Sequence, residues 1–133
     1  MQLHLLKSKK QKGKAPPPLE FASHVFIADT LRQCCSKEWE WTHFPAGEKR
    51  NIVTAARLKR MGLRPGWLDF QFAGPNRQML FLELKRRGSK PSDAQEHLIA
   101  HLLKCGFDVL ITDNVREAIA WLKGYGILRV EVQ

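Results

Sequence analysis

The sequence predicts an α/β fold with a central mixed β-sheet flanked by helices, and two stretches carry this prediction. Residues 67–85 contain two apolar-rich runs around a Gly-Pro-Asn turn signal, which is the pattern of a β-hairpin. Residues 79–112 then read as strand, helix and strand, and a connection that contains a helix joins parallel strands. A strand shared by an antiparallel hairpin and a parallel unit makes the sheet mixed.

Length and composition indicate a single domain. The chain has 133 residues, of which 44% are hydrophobic, enough for one core but not for two. Residues 7–18 hold five lysines and three consecutive prolines, so residues 1–18 are predicted to form a flexible basic arm ahead of one domain at 19–133. No run approaches a membrane span and no signal-peptide pattern is visible, which predicts a cytoplasmic protein without membrane contacts.

The charge of the chain favours a polyanionic partner. Its 22 Lys and Arg residues against 13 acids give a net charge of +9. The cations are clustered, which favours nucleic acid over a generic solubilising surface. Cys34, Cys35 and Cys105 lack C-x-x-C spacing, so we expect reduced thiols rather than a disulfide framework or a zinc site.

The remaining elements follow from hydrophobic periodicity and from residues that begin or end helices. They are a helix over 19–35, a strand over 39–44, a basic helix over 48–61, a helix over 92–105, a strand over 107–112, a helix over 115–123 and a strand over 127–132. Five basic side chains in or beside these elements are expected to hold a phosphate backbone. They are Lys49, Arg50, Arg57, Arg86 and Arg87.

The hairpin brings three charged residues together. If its turn centres on Asn76, Asp69 lies opposite Glu83, and directly opposed Cβ atoms are only about 5 Å apart. Side chains alternate along a strand, so Glu83 and Lys85 share one face with Asp69. The other face is predicted to be apolar. Its residues are Leu68, Phe70, Leu80, Leu82 and Leu84.

Two carboxylates this close repel each other, and a divalent cation removes the conflict. Mg²⁺ takes carboxylate oxygens, often only one or two, and keeps its other positions for water and phosphate. Lys85 beside it would position the attacking water or offset charge on the phosphate. The alternative is an ordinary cross-strand salt bridge on a surface hairpin, and the E-x-K pattern by itself favours that alternative.

Three side chains outside the hairpin each have two interpretations. Glu20 and His24 share a stripe of the first helix that could face the site. Glu20 could instead be a first-turn acid favoured by the helix dipole, and for His24 a place at the edge of the core is favoured. Gln95 either completes a capping box with Ser92, which its spacing favours, or faces the charged side of the hairpin and contacts the catalytic water or phosphate.

Four ordered motifs resemble the small virus-type replication-repair nuclease (VRR-NUC) family of the PD-(D/E)xK superfamily. Its members show a polar turn ending in Arg, a G-x-x-P-G-x-P-D segment, an E-L-K strand and a helix beginning near S-x-x-Q. The corresponding segments here are AGEKR at 46–50, GLRPGWLD at 62–69, ELK at 83–85 and SDAQ at 92–95. The resemblance covers about residues 19–122. It departs at Leu68, where the family has proline, and at Ala46, where asparagine is common.

The resemblance implies a restriction-endonuclease-like fold and a structure-selective DNA endonuclease. Such an enzyme acts on branched DNA such as Holliday junctions, as a homodimer, in a phage-infected or bacterial cell. The ligands it implies for Mg²⁺ or Mn²⁺ are Asp69, Glu83 and the backbone carbonyl of Leu84. The catalytic residues it implies are Asp69, Glu83, Lys85, Gln95 and Glu20.

Two other functions compete with this one. A DNA-binding accessory protein could keep the fold without turnover, although the intact acidic and lysine positions argue against it. A sequence-specific restriction enzyme is the second rival, and the 133-residue chain leaves little room for a recognition domain.

Overall fold

The computed structural model describes residues 19–45 and 49–129, without the side chains of residues 19 and 20. In this part the chain alternates helices and strands along most of its length. The elements are α1 (Leu19–Cys34), β1 (Glu40–His43), α2 (Ile52–Arg60), β2 (Phe70–Ala73), β3 (Met79–Leu84), α3 (Asp93–Lys104), β4 (Asp108–Thr112) and α4 (Val115–Gly124). The basic arm predicted at 1–18 and the chain end at 130–133 lie outside the described residues.

The strands form one mixed sheet in the order β1-β2-β3-β4. The first three pair antiparallel, and β3 pairs parallel with β4. Helix α3 connects the two parallel strands, so the predicted strand–helix–strand unit is confirmed. Phe70 pairs with Leu82, and continuing this register by one residue places Asp69 opposite Glu83, as the sequence predicts.

Each face of the sheet packs against helices. The larger core lies between the sheet and helices α1 and α4, and five of its thirteen described buried residues come from the strands. Its strand residues are Phe70, Phe72, Leu80, Leu82 and Leu84. On the other face, Phe81 packs with Leu68 and with Leu102 of α3. Burying each large apolar side chain stabilises the fold by about 1.5–3 kcal/mol.

The predicted face of Leu68 is wrong. Leu68 lies in the smaller core with Phe81, not with Phe70 and the leucines of β3. The reason is that β2 begins only at Phe70, so the strict alternation of a strand does not extend back to residue 68.

Two element boundaries also differ from the prediction. Helix α2 begins at Ile52 rather than at residue 48, because the Asn51 side chain accepts a hydrogen bond from the N–H of Thr54 and caps the helix there. At the other end of the chain, the strand predicted over 127–132 is wrong in its described part. Residues 127–129 make an isolated bridge between Leu128 and Cys35 instead of pairing with the sheet.

A glycine lets the chain ahead of Asp69 pass close to α3. Gly66 has a positive φ of 99°, and a Cβ at this position would lie 2.5 Å from the carbonyl oxygen of Ala94. A side chain therefore cannot be placed there without moving backbone. This contact sets the distance between the hairpin and the first turn of α3, which carries Gln95.

Candidate metal and nucleic-acid site

The charged side of the hairpin opens into a cavity of about 670 Å³. Helix α1, the end of β1 and the first turn of α3 form its other walls. Six residues singled out from the sequence line it, namely Asp69, Glu83, Lys85, Gln95, Lys49 and His24. The structure therefore brings together the side chains that the hairpin pattern and the helix motif placed in one site.

Glu83 is the buried centre of the cluster. Its side chain is 4% exposed, and its Oε2 lies 2.8 Å from Nζ of Lys85. The same oxygen accepts a 2.8 Å hydrogen bond from Nε2 of Gln95. The other carboxylate oxygen, Oε1, accepts a 3.1 Å bond from the N–H of Asp69. Lys85 and Gln95 therefore fix one oxygen of Glu83, and the backbone of Asp69 fixes the other.

Asp69 is held from both sides of the cavity. Its Oδ2 accepts a 2.8 Å hydrogen bond from the N–H of Leu84. The same oxygen lies 2.8 Å from Nε2 of His24 on α1. Because Asp69 precedes β2 and Leu84 ends β3, each acidic residue contacts the backbone of the neighbouring hairpin arm. These bonds fix both carboxylates at the end of the hairpin, one residue before β2 begins.

Gln95 completes the predicted capping box and also faces the charged side of the hairpin. Its Oε1 accepts from the N–H of Ser92 at 3.1 Å, and the Ser92 hydroxyl accepts from the N–H of Gln95 at 3.2 Å, which completes the capping box. The same Oε1 accepts a 2.7 Å bond from Nζ of Lys85, while Nε2 donates to Glu83. The helix cap therefore orients an amide that bridges the lysine and the glutamate.

The surroundings of Glu83 favour the protonated carboxyl over the carboxylate more than water does. Burial raises the pKa of Glu83 above its ordinary value, and the neighbouring Asp69 carboxylate raises it further. Lys85 and Gln95 lower this pKa without cancelling the increase. A cation between Asp69 and Glu83 would offset both the cost of burying the Glu83 charge and its repulsion by the Asp69 carboxylate.

No protein-family model matches this chain, and no curated protein or solved structure matches it. The chemistry of the site therefore has to be argued from its own side chains.

The donor set fits a hard divalent cation. Mg²⁺ is usually held by one or two carboxylates together with water and phosphate, and Asp69 and Glu83 supply two. In an extended strand the N–H and C=O of one residue point to the same side, so the Leu84 carbonyl is directed to the side of Asp69. Within 19–45 and 49–129, no group of three or more His, Cys, Asp or Glu side chains has metal-binding spacing.

The basic candidates occupy different positions around the site. Lys49 is exposed and lines the cavity, and Arg86 and Arg87 are exposed directly after β3. Arg57 is exposed on α2, a helix with no buried residue. Arg50 is half-buried and donates a hydrogen bond to the carbonyl of Pro45, so it also holds the chain between β1 and α2.

Of the candidate catalytic side chains, that of Glu20 lies outside the described part of the structure, although its backbone belongs to the first turn of α1. From the sequence, Glu20 is the stronger candidate of the two helix residues Glu20 and His24. The structure shows His24 at the edge of the core, as expected, but also in contact with Asp69. Arg32 lines the same cavity, and the four-residue spacing of His24, Ala28 and Arg32 is a signal that could have identified this face of α1.

Among the described residues, no helix combines the length and the apolar character needed to cross a membrane.

Proposed function

We propose that this protein is a metal-dependent DNA endonuclease that hydrolyses phosphodiester bonds, built on a restriction-endonuclease-like fold. The observation that carries the proposal is the buried Glu83 carboxylate, 2.8 Å from Lys85 and bonded to the backbone of Asp69. An ordinary surface salt bridge is exposed and flexible. In this cluster Glu83 is buried, Asp69, Lys85 and Gln95 are half-buried, and the pKa of Glu83 is raised above its ordinary value, which is typical of functional sites.

Each side chain has a defined task in such a reaction. Asp69, Glu83 and the carbonyl of Leu84 would hold Mg²⁺ or Mn²⁺, which supplies a Lewis acid and a water of lowered pKa when bound. In such a reaction water would attack phosphorus in line with the leaving oxygen, the phosphorus–oxygen bond on the opposite side would break, the water would lose a proton to solvent, and the leaving oxygen would take one from solvent. Lys85 is oriented by Glu83 and Gln95, so its ammonium can donate to the attacking water and offset charge on the phosphate.

The surface around the cavity supports a DNA substrate. The chain has a net charge of +9, and Lys49, Arg86 and Arg87 are exposed at or near the site. Cations of this kind contact phosphates and carry little sequence information. We therefore propose recognition of DNA shape, with branched DNA such as Holliday junctions as the substrate.

Symmetric cleavage of a four-way junction requires two active sites, and the proposal therefore includes a homodimer. It places the enzyme in the cytoplasm of a bacterial or phage-infected cell. Size-exclusion chromatography with light scattering tests the dimer directly, since the monomer mass is 15.3 kDa.

The test compares cleavage of a labelled four-way junction, a flap and a linear duplex in Mg²⁺ and in Mn²⁺. The wild-type protein should cut the branched substrates, and Glu83→Gln should be inactive because it removes a ligand charge while conserving shape. Glu96→Gln, which changes an exposed acid on α3, is the matched control and should cut normally. Equal cleavage by the Glu83 variant would indicate a contaminating nuclease and overturn the proposal.

Two other outcomes identify the competing functions. Binding of junction DNA without cleavage in either metal would indicate an accessory DNA-binding protein. Discrete fragments from long linear DNA would indicate a sequence-specific restriction enzyme.

A further inference from the structure

We propose that the apolar side of the cavity binds an unpaired nucleobase, next to the phosphate that the charged cluster contacts. The proposal rests on the proposed function and names its substrate class, which is DNA with unstacked nucleotides. Its starting point is a pair of exposed apolar side chains on α1. Phe21 is 59% exposed and Val25 is 40% exposed, and both line the cavity that contains Glu83 and Lys85.

Phe21 and Val25 lie on a face of α1 that the core does not use. The helix packs against the sheet through Ile27 and Leu31, which are almost completely buried. Each of these lies six positions after one of the exposed pair, which places it about 120° around the helix from that residue. Neither of the two described hydrophobic clusters includes Phe21 or Val25. A single exposed apolar residue is ordinary, but an exposed ring and an exposed valine that share one cavity form a binding surface.

The same cavity contains cations at several points. Lys85 is held there by its contact with Glu83, and Lys49 is exposed. Arg32 lies seven positions after Val25, on the same face of α1, and its side chain is 64% exposed. A ligand that complements these walls therefore combines an anion with a flat apolar surface.

A nucleotide has this combination, since its phosphate is an anion and its base has a π-face that stacks on aromatic side chains. In a duplex both faces of a base are covered by neighbouring bases, so only an unpaired or displaced base can stack on Phe21. The cavity of about 670 Å³ lies in the size range of sites for one small ligand. This shape favours DNA that is unstacked beside the cleaved bond, as at a flap or at the centre of a junction.

Two probes of equal charge separate base contacts from phosphate contacts. One is a short single-stranded oligothymidylate, and the other is a strand of the same length in which a stable abasic analogue replaces every nucleoside. Loss of one base–aromatic contact weakens binding about 5- to 150-fold. The wild-type protein should therefore bind the oligothymidylate more tightly than the abasic strand by about this factor. Fluorescence anisotropy of the labelled probes, in EDTA and again in Ca²⁺, measures both affinities.

Three variants assign the difference to the aromatic ring. Phe21→Ala should reduce the ratio of the two affinities to less than about threefold, since the stacking surface is lost. Phe21→Tyr keeps the ring and should keep the ratio. Leu103→Ala is the matched control, because Leu103 is a 53% exposed apolar residue of α3 outside the cavity, and it should also keep the ratio. If Phe21→Ala does not fold, the comparison of the two probes on the wild-type protein decides the question.

Equal affinities of the wild-type protein for the two probes in both conditions, or no binding of either probe, would overturn the base contact. A Phe21→Ala protein that keeps the full ratio would overturn it as well. If that variant is also a monomer where the wild type is a dimer, a second copy of the chain covers this face instead.

These outcomes are distinct from failure of the nuclease proposal. Cleavage of junction DNA by the wild-type protein, without a preference for the probe that carries bases, overturns the base contact and leaves the nuclease standing. A preference that depends on Phe21, without cleavage in Mg²⁺ or Mn²⁺, supports the base contact and overturns the nuclease.

Discussion

The backbone N–H of Asp69 donates a 3.1 Å hydrogen bond to the buried carboxylate of Glu83. In return, the N–H of Leu84 donates to the Asp69 carboxylate at 2.8 Å. These two bonds connect the acids through main-chain groups at the end of the hairpin, where β2 begins one residue after Asp69. The cation site we propose is therefore preorganised by the hairpin, which is the condition for electrostatic stabilisation of a transition state.

Glu83→Gln should change the pH dependence of stability in metal-free protein. The folded protein raises the pKa of Glu83 through burial and through Asp69, so it binds a proton more readily than the unfolded chain does. The stability contributed by this group is complete below its ordinary pKa of 4.5 and is lost as the pH rises through the folded value. The unfolding free energy of the variant, relative to wild type, should therefore increase as the pH rises above about 4.5.

Urea unfolding of both proteins in EDTA, from pH 4.5 to pH 8, measures this difference. Glu96→Gln should show no such trend relative to wild type, since it changes an exposed residue. A difference in unfolding free energy between Glu83→Gln and wild type that stays constant from pH 4.5 to pH 8 would contradict a raised pKa of Glu83 in the folded protein.

The double role of Gln95 can be separated by two substitutions. Ser92→Ala removes the hydroxyl that accepts from Gln95, and loss of such a cap costs about 1 kcal/mol. Gln95→Ala disrupts the same cap and also the contacts to Lys85 and Glu83. We expect similar losses of stability from both variants, but a loss of junction cleavage of about 10- to 100-fold only from Gln95→Ala. Equal cleavage by the two variants would show that Gln95 only caps the helix.

A glycine pair tests the contact between the hairpin and α3. Gly62 and Gly66 both have positive φ, of 107° and 99°, but a Cβ has open space only at Gly62. Gly62→Ala should cost about 1 kcal/mol through backbone strain. Gly66→Ala should cost about 1–3 kcal/mol more, because overpacking against Ala94 adds to the strain. Thermal unfolding measures both, and equal losses would mean that the approach to Ala94 is not tight.

The basic residues beside the site should act through phosphate contacts. Arg86→Ala should weaken binding of all DNA sequences alike, and it should reduce the slope of log affinity against log salt by about 0.9. Lys123→Ala, which changes an exposed cation of α4 outside the cavity, should leave the slope unchanged. Fluorescence anisotropy over a range of salt concentrations measures it, and an unchanged slope for Arg86→Ala would remove this residue from the interface.

The hairpin and its register could be predicted from the sequence because the information is local. The turn at Asn76 and the alternation of apolar residues specify which positions are opposed, and Asp69 and Glu83 follow from counting. The positive φ values of Asn76 and Arg77, 59° and 62°, agree with a turn centred there. The strand–helix–strand unit is local in the same way, since each of its elements has its own periodicity and end signals.

The features that could not be predicted from the sequence depend on contacts between segments that are far apart in the chain. Leu68 packs on the opposite face from the prediction because β2 starts at Phe70, and strand ends are decided by pairing rather than by composition. The contact of His24 with Asp69 depends on how α1 lies over the sheet; the spacing along α1 can identify the face of the helix but not this partner. The sequence predicts two competing positions for Gln95, because spacing alone does not show that one side chain can cap the helix and contact the hairpin together.

The central claim is that Asp69 and Glu83 hold one cation between them. Anomalous diffraction from crystals soaked in Mn²⁺ tests it most directly, since the ion is located without reference to activity. We predict one anomalous peak within about 2.0–2.4 Å of a carboxylate oxygen from each of the two residues. A peak that contacts only one of these acids, or one that lies outside the cavity, would contradict the account.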